Sequence, residues 1–253
     1  MRAIISVIKL TLFVFFTVAG SLTYLGILLC IHIIRLPDEP WKNRFLSFWA
    51  KGTAIIFRMK VITRGKAPSP PFFLVSNHLS YLDIIPIFLN LNCTFVAKKE
   101  VKHWPLLGFM VKMVGVIFID RKLKKDVIRV NRLLNDAFNQ YQGIVVFPEG
   151  TSSGGQDILK FRPPLLEFPA AEELPVHYAS IHYETSESDD EAVNSVCFFG
   201  ARDTFLSHLF KMAKNRKIIC TIHISEDTVI SNNRKELAIL LQNKTEQIFV
   251  PTS

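Results

Sequence analysis

A run of 25 residues near the start of the chain, positions 10–34, contains no Asp, Glu, Lys or Arg. As a helix it would be about 37 Å long, more than the roughly 30 Å hydrocarbon core of a bilayer requires. A cleaved signal peptide is the alternative, but its apolar core covers only about 7–15 residues. The run therefore predicts a retained membrane segment, either one tilted helix or two shorter helices broken near Gly20 and Ser21. The pattern leaves open whether this segment spans the bilayer or re-enters it.

The basic residues are concentrated beside this segment. Residues 1–70 contain ten Lys and Arg against two Asp and Glu, whereas residues 71–253 contain twenty of each kind. Anionic lipid headgroups explain such a local excess better than nucleic acid does, so we expect membrane phospholipids as partners and no nucleic acid. By the positive-inside rule, the larger number of basic residues after the segment places the main domain in the cytoplasm. The residues compared are Arg2 and Lys9 before the segment, and Arg35, Lys42, Arg44 and Lys51 after it.

A second apolar pattern covers residues 41–59, where aromatic and aliphatic residues recur at near-helical spacing and alternate with Lys and Arg. It predicts an amphipathic helix at the membrane interface, with its tryptophans at headgroup depth. A helix that packs on an ordinary protein core is the alternative. We therefore divide the chain into a membrane anchor with an interfacial helix, residues 1–60, and a globular domain, residues 61–253.

The globular part alternates strand-like and helix-like stretches, which predicts an α/β fold with a mixed, largely parallel sheet flanked by helices. Predicted strands cover residues 72–76, 94–97, 116–119, 144–147, 176–181, 196–199 and 217–224. Predicted helices cover residues 82–89, 101–113, 122–141, 204–214 and 234–249. Residues 186–191 are acidic and polar, which predicts a loop. The four cysteines form no Cys-x-x-Cys pair, which favours a reducing compartment and indicates no metal site.

One predicted strand ends in Asn77 and His78, and Asp83 follows five residues after the histidine. Open α/β sheets keep their sites at the carboxyl ends of strands. In a regular helix, residues five apart point about 140° away from each other, so His78 and Asp83 would not meet. They can meet if His78 lies in the turn and the helix begins near Ser80, a favourable N-cap residue. Asp83 would then hold one imidazole nitrogen and leave the other as a base. The alternative is a capped helix start with a surface histidine and aspartate.

Two later strand ends also carry polar groups. Residues 115–121, Gly-Val-Ile-Phe-Ile-Asp-Arg, end in a charged pair, and residues 147–153, Phe-Pro-Glu-Gly-Thr-Ser-Ser, form a turn rich in hydrogen-bonding groups. With Asn77-His78-x4-Asp83, these blocks resemble, in order and in spacing, the first three sequence blocks of the glycerolipid acyltransferase family, the 1-acylglycerol-3-phosphate acyltransferase (PlsC-like) group. The resemblance covers residues 61–224.

The resemblance implies transfer of a fatty acyl group from an acyl-thioester to the free hydroxyl of 1-acylglycerol-3-phosphate, forming phosphatidic acid in phospholipid biosynthesis. His78 is then the base that deprotonates the hydroxyl, and Asp83 orients it. No serine or cysteine need be acylated in this scheme. It implies no cofactor and no metal, with acyl-CoA or acyl-carrier protein as the co-substrate and a lysophospholipid as the acceptor.

The resemblance also assigns acceptor-binding residues. Arg121 matches the arginine that the family assigns to the acceptor phosphate, and a guanidinium group suits phosphate geometry. Glu149, Gly150 and Thr151 match the acceptor-binding block, and Lys98 is a candidate for positive charge near the site. The alternatives are a surface ion pair between Arg121 and the preceding aspartate, a plain Pro-Glu-Gly turn, and a solvated lysine.

The chain departs from the family pattern in two places. The fourth block contains one proline, Pro175, and residues 161–164 are Phe-Arg-Pro-Pro, without the usual glycine. These departures put acyl-chain and acceptor preference in doubt more than the reaction. We therefore keep three alternatives: an acyltransferase for another lysolipid, such as a lyso-ornithine lipid; a hydrolase with the same base; and a non-catalytic membrane-binding protein on the same fold.

Overall fold

A computed structural model describes residues 2–120, 123–198 and 204–252. Within these ranges, seven strands form one mixed sheet in the order β1-β7-β6-β2-β5-β3-β4. All neighbours pair in parallel except β6 and β7, which are antiparallel. This confirms the predicted fold class. The strands are β1 (Met59–Arg64), β2 (Phe73–Ser76), β3 (Cys93–Lys98), β4 (Ile117–Ile119), β5 (Gly143–Val146), β6 (Val176–Thr185) and β7 (Ile218–Val229).

Helices cover both faces of the sheet. Short 3-10 turns at Tyr81–Asp83, Lys99–His103 and Pro163–Leu166 precede three of them. The helices are α1 (Arg2–Ile34), α2 (Glu39–Phe57), α3 (Ile84–Asn90), α4 (Leu107–Met113), α5 (Lys124–Ala137), α6 (Glu167–Ala171), α7 (Ala192–Ser195), α8 (Phe205–Ala213) and α9 (Arg234–Gln247).

The central strands β2 and β5 are buried on both faces, so their side chains alternate between two separate cores. Leu74 and Val145 face the core that contains residues of α1 to α4, α7 and α8. Phe73 and Val146 face the core made with α5, α6 and α9. Strands covered in this way are continuous apolar runs, which is why they were readily predicted from the sequence.

Helix α1 is one continuous helix of 33 residues, so of the two predicted alternatives the single helix is confirmed and the break near Gly20 and Ser21 is not present. It is long and apolar enough to cross a membrane, and it is the one such helix in the described residues. Its exposed faces are rich in large apolar side chains. One buried stripe packs on the rest of the protein: Ser6, Lys9, Phe13, Thr17, Ser21, Tyr24 and Ile31.

Helix α2 packs along α1. The Tyr24 and Phe45 rings stack with centroids 4.5 Å apart, and the indole of Trp49 donates a hydrogen bond of 3.1 Å to Thr17 Oγ1. A side chain at Gly52 would overlap the ring of Phe16, so glycine allows the two helices to approach here. Trp49 is 2 % exposed, so α1 covers its indole and the side chain is not available to lipid headgroups.

The apolar residues that α2 exposes are others on the same helix. Phe48 and Ile55 are 60 % and 68 % exposed, and the exposed Lys51 lies between them in sequence. One face of α2 therefore packs on α1, as the core-helix alternative states, and another face is left open. A position of α2 at the membrane interface stays a prediction.

The structure corrects two further predictions and adds one strand. Residues 196–198 do not form a strand, since the chain leaves the short helix α7 there in a turn. The predicted helix 101–113 is interrupted at Pro105, which separates a 3-10 turn from α4. Strand β1 was not predicted, because its residues follow an amphipathic helix without a break in apolar spacing. It pairs with β7 and includes residues on both sides of residue 60, where a domain boundary was predicted. The division of the chain into an anchor and a globular domain otherwise stays a prediction.

Candidate active site

The His78–Asp83 pair lies at the carboxyl end of the central strand β2. Asn77 closes the strand: its side chain accepts from Ile181 N at 2.7 Å and donates to Ile181 O at 2.9 Å, which fixes the turn to β6. Ser80 is extended, and the 3-10 turn that follows it turns the Asp83 carboxylate back towards His78. His78 Nδ1 and Asp83 Oδ2 are 2.8 Å apart. The predicted contact is therefore confirmed, and so is its explanation by a helix that begins after the histidine.

The Asp83 carboxylate is completely buried and accepts hydrogen bonds on both oxygens. Besides His78, Oδ2 accepts from the backbone N–H groups of Leu79 at 2.7 Å and Ser80 at 3.1 Å. Oδ1 accepts from the hydroxyl of Tyr183 at 3.0 Å. Several donors around one carboxylate stabilise its negative charge, and this charge in turn stabilises an imidazolium at His78.

The His78 ring is held between the carboxylate and an aromatic wall. It stacks on Phe147 with ring centroids 4.3 Å apart and an interplanar angle of 19°. Its side chain is 23 % exposed, whereas that of Asp83 is fully covered. Because Asp83 engages Nδ1, Nε2 is the ring nitrogen left to meet a substrate hydroxyl.

Main-chain hydrogen bonds tie the histidine turn to two other loops. His78 O accepts from Ser153 N at 2.7 Å, in the loop after β5. Leu79 O accepts from Phe198 N at 2.9 Å, in the segment after α7. The turn is therefore fixed by backbone groups as well as by its own side chains.

Glu149 lies beneath the same turn and is 1 % exposed. Its Oε1 accepts from His78 N at 2.8 Å, and its Oε2 accepts from Leu159 N at 3.3 Å. Burial raises the pKa of the Glu149 carboxyl to about 8, against the opposing effect of these two backbone donors. The structure thus gives Glu149 a supporting position that the sequence did not indicate, while its predicted contact with the acceptor stays a prediction.

Gly150 and Thr151 follow Glu149 at the edge of the site. Gly150 has a positive φ of 74°, a conformation that glycine adopts without strain, and it lines the cavity described below together with Ser152. Thr151 is half-buried beside them. The structure brings this loop to the histidine turn as predicted, and an acceptor role for its residues stays a prediction.

An apolar cavity of about 170 Å³ opens beside His78. Its polar lining includes His78, Tyr81, Lys98 and Ser152, and the stacked rings of Phe95 and Phe147 form part of one wall. The remaining walls are aliphatic and aromatic, which suits a hydrocarbon chain. Further apolar residues that line it are Ile84, Phe88, Leu107, Met110, Val111 and Val114.

Two basic residues were predicted for the site, Lys98 and Arg121, and the structure describes one of them. Lys98 lines the cavity, as predicted for a charge near the site. Its neighbour Lys99 forms an ion pair of 2.5 Å with Asp120. Arg121, the predicted phosphate ligand, lies outside the described residues.

The fold and site define a class: α/β proteins with a buried carboxylate–histidine pair at the carboxyl edge of the sheet, beside an apolar cavity. Comparison with known proteins narrows the class. Residues 58–181 match the family model described as Acyltransferase. This match, together with the relatives described next, confirms the resemblance to the glycerolipid acyltransferase family that was predicted from the three sequence blocks.

Three similar proteins show how far this likeness extends. A Pseudomonas aeruginosa protein named lyso-ornithine lipid O-acyltransferase is 27 % identical over 72 % of this chain and 70 % of its own length. A Neisseria meningitidis protein named 1-acyl-sn-glycerol-3-phosphate acyltransferase is 34 % identical over half of each chain. The crystal structure of PlsC from Thermotoga maritima, titled a 1-acyl-sn-glycerophosphate acyltransferase, shares the fold with a TM-score of 0.63 at 18 % identity, over the full length of both chains.

Proposed function

We propose that the protein transfers a fatty acyl group from an acyl-thioester to the free hydroxyl of a lysolipid, with 1-acylglycerol-3-phosphate as the acceptor and phosphatidic acid as the product. The observation that carries this proposal is the 2.8 Å contact between His78 Nδ1 and Asp83 Oδ2 at the opening of an apolar cavity. A base beside an apolar cavity fits a reaction between a lipid hydroxyl and a fatty acyl thioester.

The reaction needs one proton to move twice. His78 Nε2 takes the proton of the acceptor hydroxyl while the hydroxyl oxygen attacks the thioester carbonyl carbon. The imidazolium that forms is stabilised by the Asp83 carboxylate. When the tetrahedral intermediate collapses, the carbon–sulfur bond breaks and the leaving sulfur takes the proton back from His78. The products are the ester and the free thiol of coenzyme A or acyl-carrier protein, with no acyl-enzyme and no net change at His78.

The geometry of the described residues, together with the family resemblance for Arg121, supports a placement for both substrates. The acyl chain occupies the apolar cavity, so that its thioester carbonyl lies at the histidine end. The acceptor headgroup lies over the loop at Gly150 and Thr151, and Arg121 and Lys98 supply positive charge for its phosphate.

Membrane attachment is part of this proposal. The exposed apolar faces of α1 and α2 enter the lipid, with the catalytic domain on the cytoplasmic side. The N-terminal end of α1 touches the globular part, since Lys9 Nζ donates to Asn215 O at 2.6 Å. Such packing favours a helix that lies along the membrane surface over one perpendicular to it.

A lyso-ornithine lipid is kept as a second candidate acceptor because of one specific observation. The Pseudomonas relative, which matches 72 % of this chain, carries the name of a lyso-ornithine lipid enzyme. A lyso-ornithine lipid presents the same chemistry, a free hydroxyl on a single-chain lipid, with a different headgroup. The base and the cavity serve either acceptor equally.

The test is thiol release from acyl-CoA or acyl-carrier protein by the purified, detergent-solubilised protein, with no acceptor, lysophosphatidic acid or lyso-ornithine lipid. Release that depends on an acceptor, and that His78→Ala abolishes while the variant melts like wild type, supports the proposal. Release without any acceptor, with free fatty acid as the product, would indicate a hydrolase. No release with any donor and acceptor would leave a membrane-binding protein on this fold.

A further inference from the structure

Tyr183 lies behind the His78–Asp83 pair, on the opposite side of the carboxylate from the histidine turn. It belongs to β6 and is completely buried. Its hydroxyl donates to Asp83 Oδ1 at 3.0 Å, across a sequence separation of 100 residues. Cys220 is its partner in the antiparallel pairing of β6 with β7.

We propose that Tyr183 is a positioning residue for the His78–Asp83 pair, which sets the orientation and the proton affinity of the base in the acyl transfer. This inference rests on the proposed function.

The first argument is geometric. The donors to Asp83 Oδ2 all belong to the histidine turn, residues 78–80, so they move with that turn. The one donor to Oδ1 in the described residues comes from the central sheet. Donors on both oxygens fix the plane of the carboxylate and attach it to a strand instead of to the turn alone. Without the Tyr183 hydroxyl, Oδ1 would be a buried acceptor with no donor, at a site from which water is excluded.

The second argument is electrostatic. The titratable groups around the carboxylate are His78, Tyr183, Glu149, Cys197 and Cys220. Burial raises the pKa of the Tyr183 phenol well above its usual value, with the Asp83 charge as a further cause, so Tyr183 stays protonated and acts as a donor. Its hydrogen bond withdraws negative charge from the carboxylate. If the bond is removed, more of that charge acts on the imidazolium and stabilises it.

The matched pair of variants is Tyr183→Phe and Tyr178→Phe. Tyr178 is on the same strand and is 4 % exposed, but it faces the other core. We expect Tyr183→Phe to lower kcat about tenfold with KM unchanged within about twofold. We also expect it to move the acid limb of the kcat/KM profile up by about half a pH unit. Tyr178→Phe should change neither. A Tyr183→Phe variant with wild-type kcat and pH profile overturns the proposal, and so does an equal loss in both variants without a shift of the acid limb.

Two further measurements keep the test decisive if Tyr183→Phe folds poorly. A 3-fluorotyrosine at position 183 keeps the ring volume and donates a stronger hydrogen bond, so the acid limb should move to lower pH; an unmoved limb counts against the proposal. The melting temperature of Tyr183→Phe should fall by about 2–4 °C in the wild-type background and change little in Asp83→Ala. If the wild type shows no acyl transfer, the proposed function fails, whereas this thermal cycle still decides whether Tyr183 supports Asp83.

Discussion

The buried carboxyl of Glu149 makes folding stability depend on pH, and replacing it with glutamine should remove that dependence. Its pKa is raised from 4.5 to about 8 in the folded protein, chiefly by burial. The folded state therefore keeps a proton that the unfolded chain has already lost over this interval. Stability is highest below pH 4.5 and falls as the pH rises towards 8, because the charged form must then be buried.

The size of the effect follows from the same interval. It covers about 3.5 pH units, and each corresponds to about 1.4 kcal/mol, so the upper limit is about 5 kcal/mol. For a domain of this size, such a change lowers the melting temperature by about 10 °C or more. Glu149→Gln stays neutral at every pH and keeps one oxygen to accept from His78 N. The difference in melting temperature between wild type and Glu149→Gln should therefore shrink or reverse as the pH rises.

The assay is a thermal melt followed by tryptophan fluorescence in detergent, at half-unit steps from pH 5 to pH 8.5. Histidines also titrate in this window, so the comparison between variants carries the result, not the wild-type curve alone. Glu167→Gln is the matched control, because Glu167 is half exposed in an ion pair with Arg234. Parallel curves for wild type and Glu149→Gln across the whole window would refute the reasoning.

Three other predictions follow from the fold, from the cavity and, for Arg121, from the family resemblance. Ile55→Glu should reduce binding to anionic vesicles several-fold in a flotation assay. The control is Ile239→Glu, since Ile239 is 60 % exposed on the other side of the sheet and its replacement should not reduce binding. Equal effects of the two substitutions would contradict membrane docking by α2. Val111→Phe narrows the cavity and should lower kcat/KM for long acyl-thioesters about tenfold more than for short ones. Val127→Phe, on α5, should not discriminate between long and short acyl-thioesters. Arg121→Ala should raise KM for a phosphorylated acceptor about tenfold and Arg121→Lys less, and an unchanged KM would remove its anchoring role.

The sequence was sufficient to predict the contact between His78 and Asp83 because the information is local. An apolar strand ends in polar residues, Asp83 follows His78 by five positions, and Ser80 lies between them. This pattern allows one compact turn that brings the two side chains together. The sheet was predictable for a similar reason, since β2 and β5 are buried on both faces and are continuous apolar runs.

The rest of the site depends on tertiary contacts that no local pattern encodes. Tyr183 and Asp83 meet only because β6 lies beside β2, so nothing near either residue in sequence indicates the contact. The false strand prediction at residues 196–198 has the same origin, because Val196 and Cys197 are buried by packing in a turn and not by strand pairing. Trp49 resembles an interfacial tryptophan in sequence, yet the neighbouring α1 covers it.

The main-chain links around His78 have an evolutionary consequence. A peptide N–H or C=O is the same whichever side chain its residue carries, so the bonds from Ser153 and Phe198 to the histidine turn persist through substitution at either position. The loops at Ser153 and Phe198 can therefore diverge in their side chains while His78 keeps its orientation.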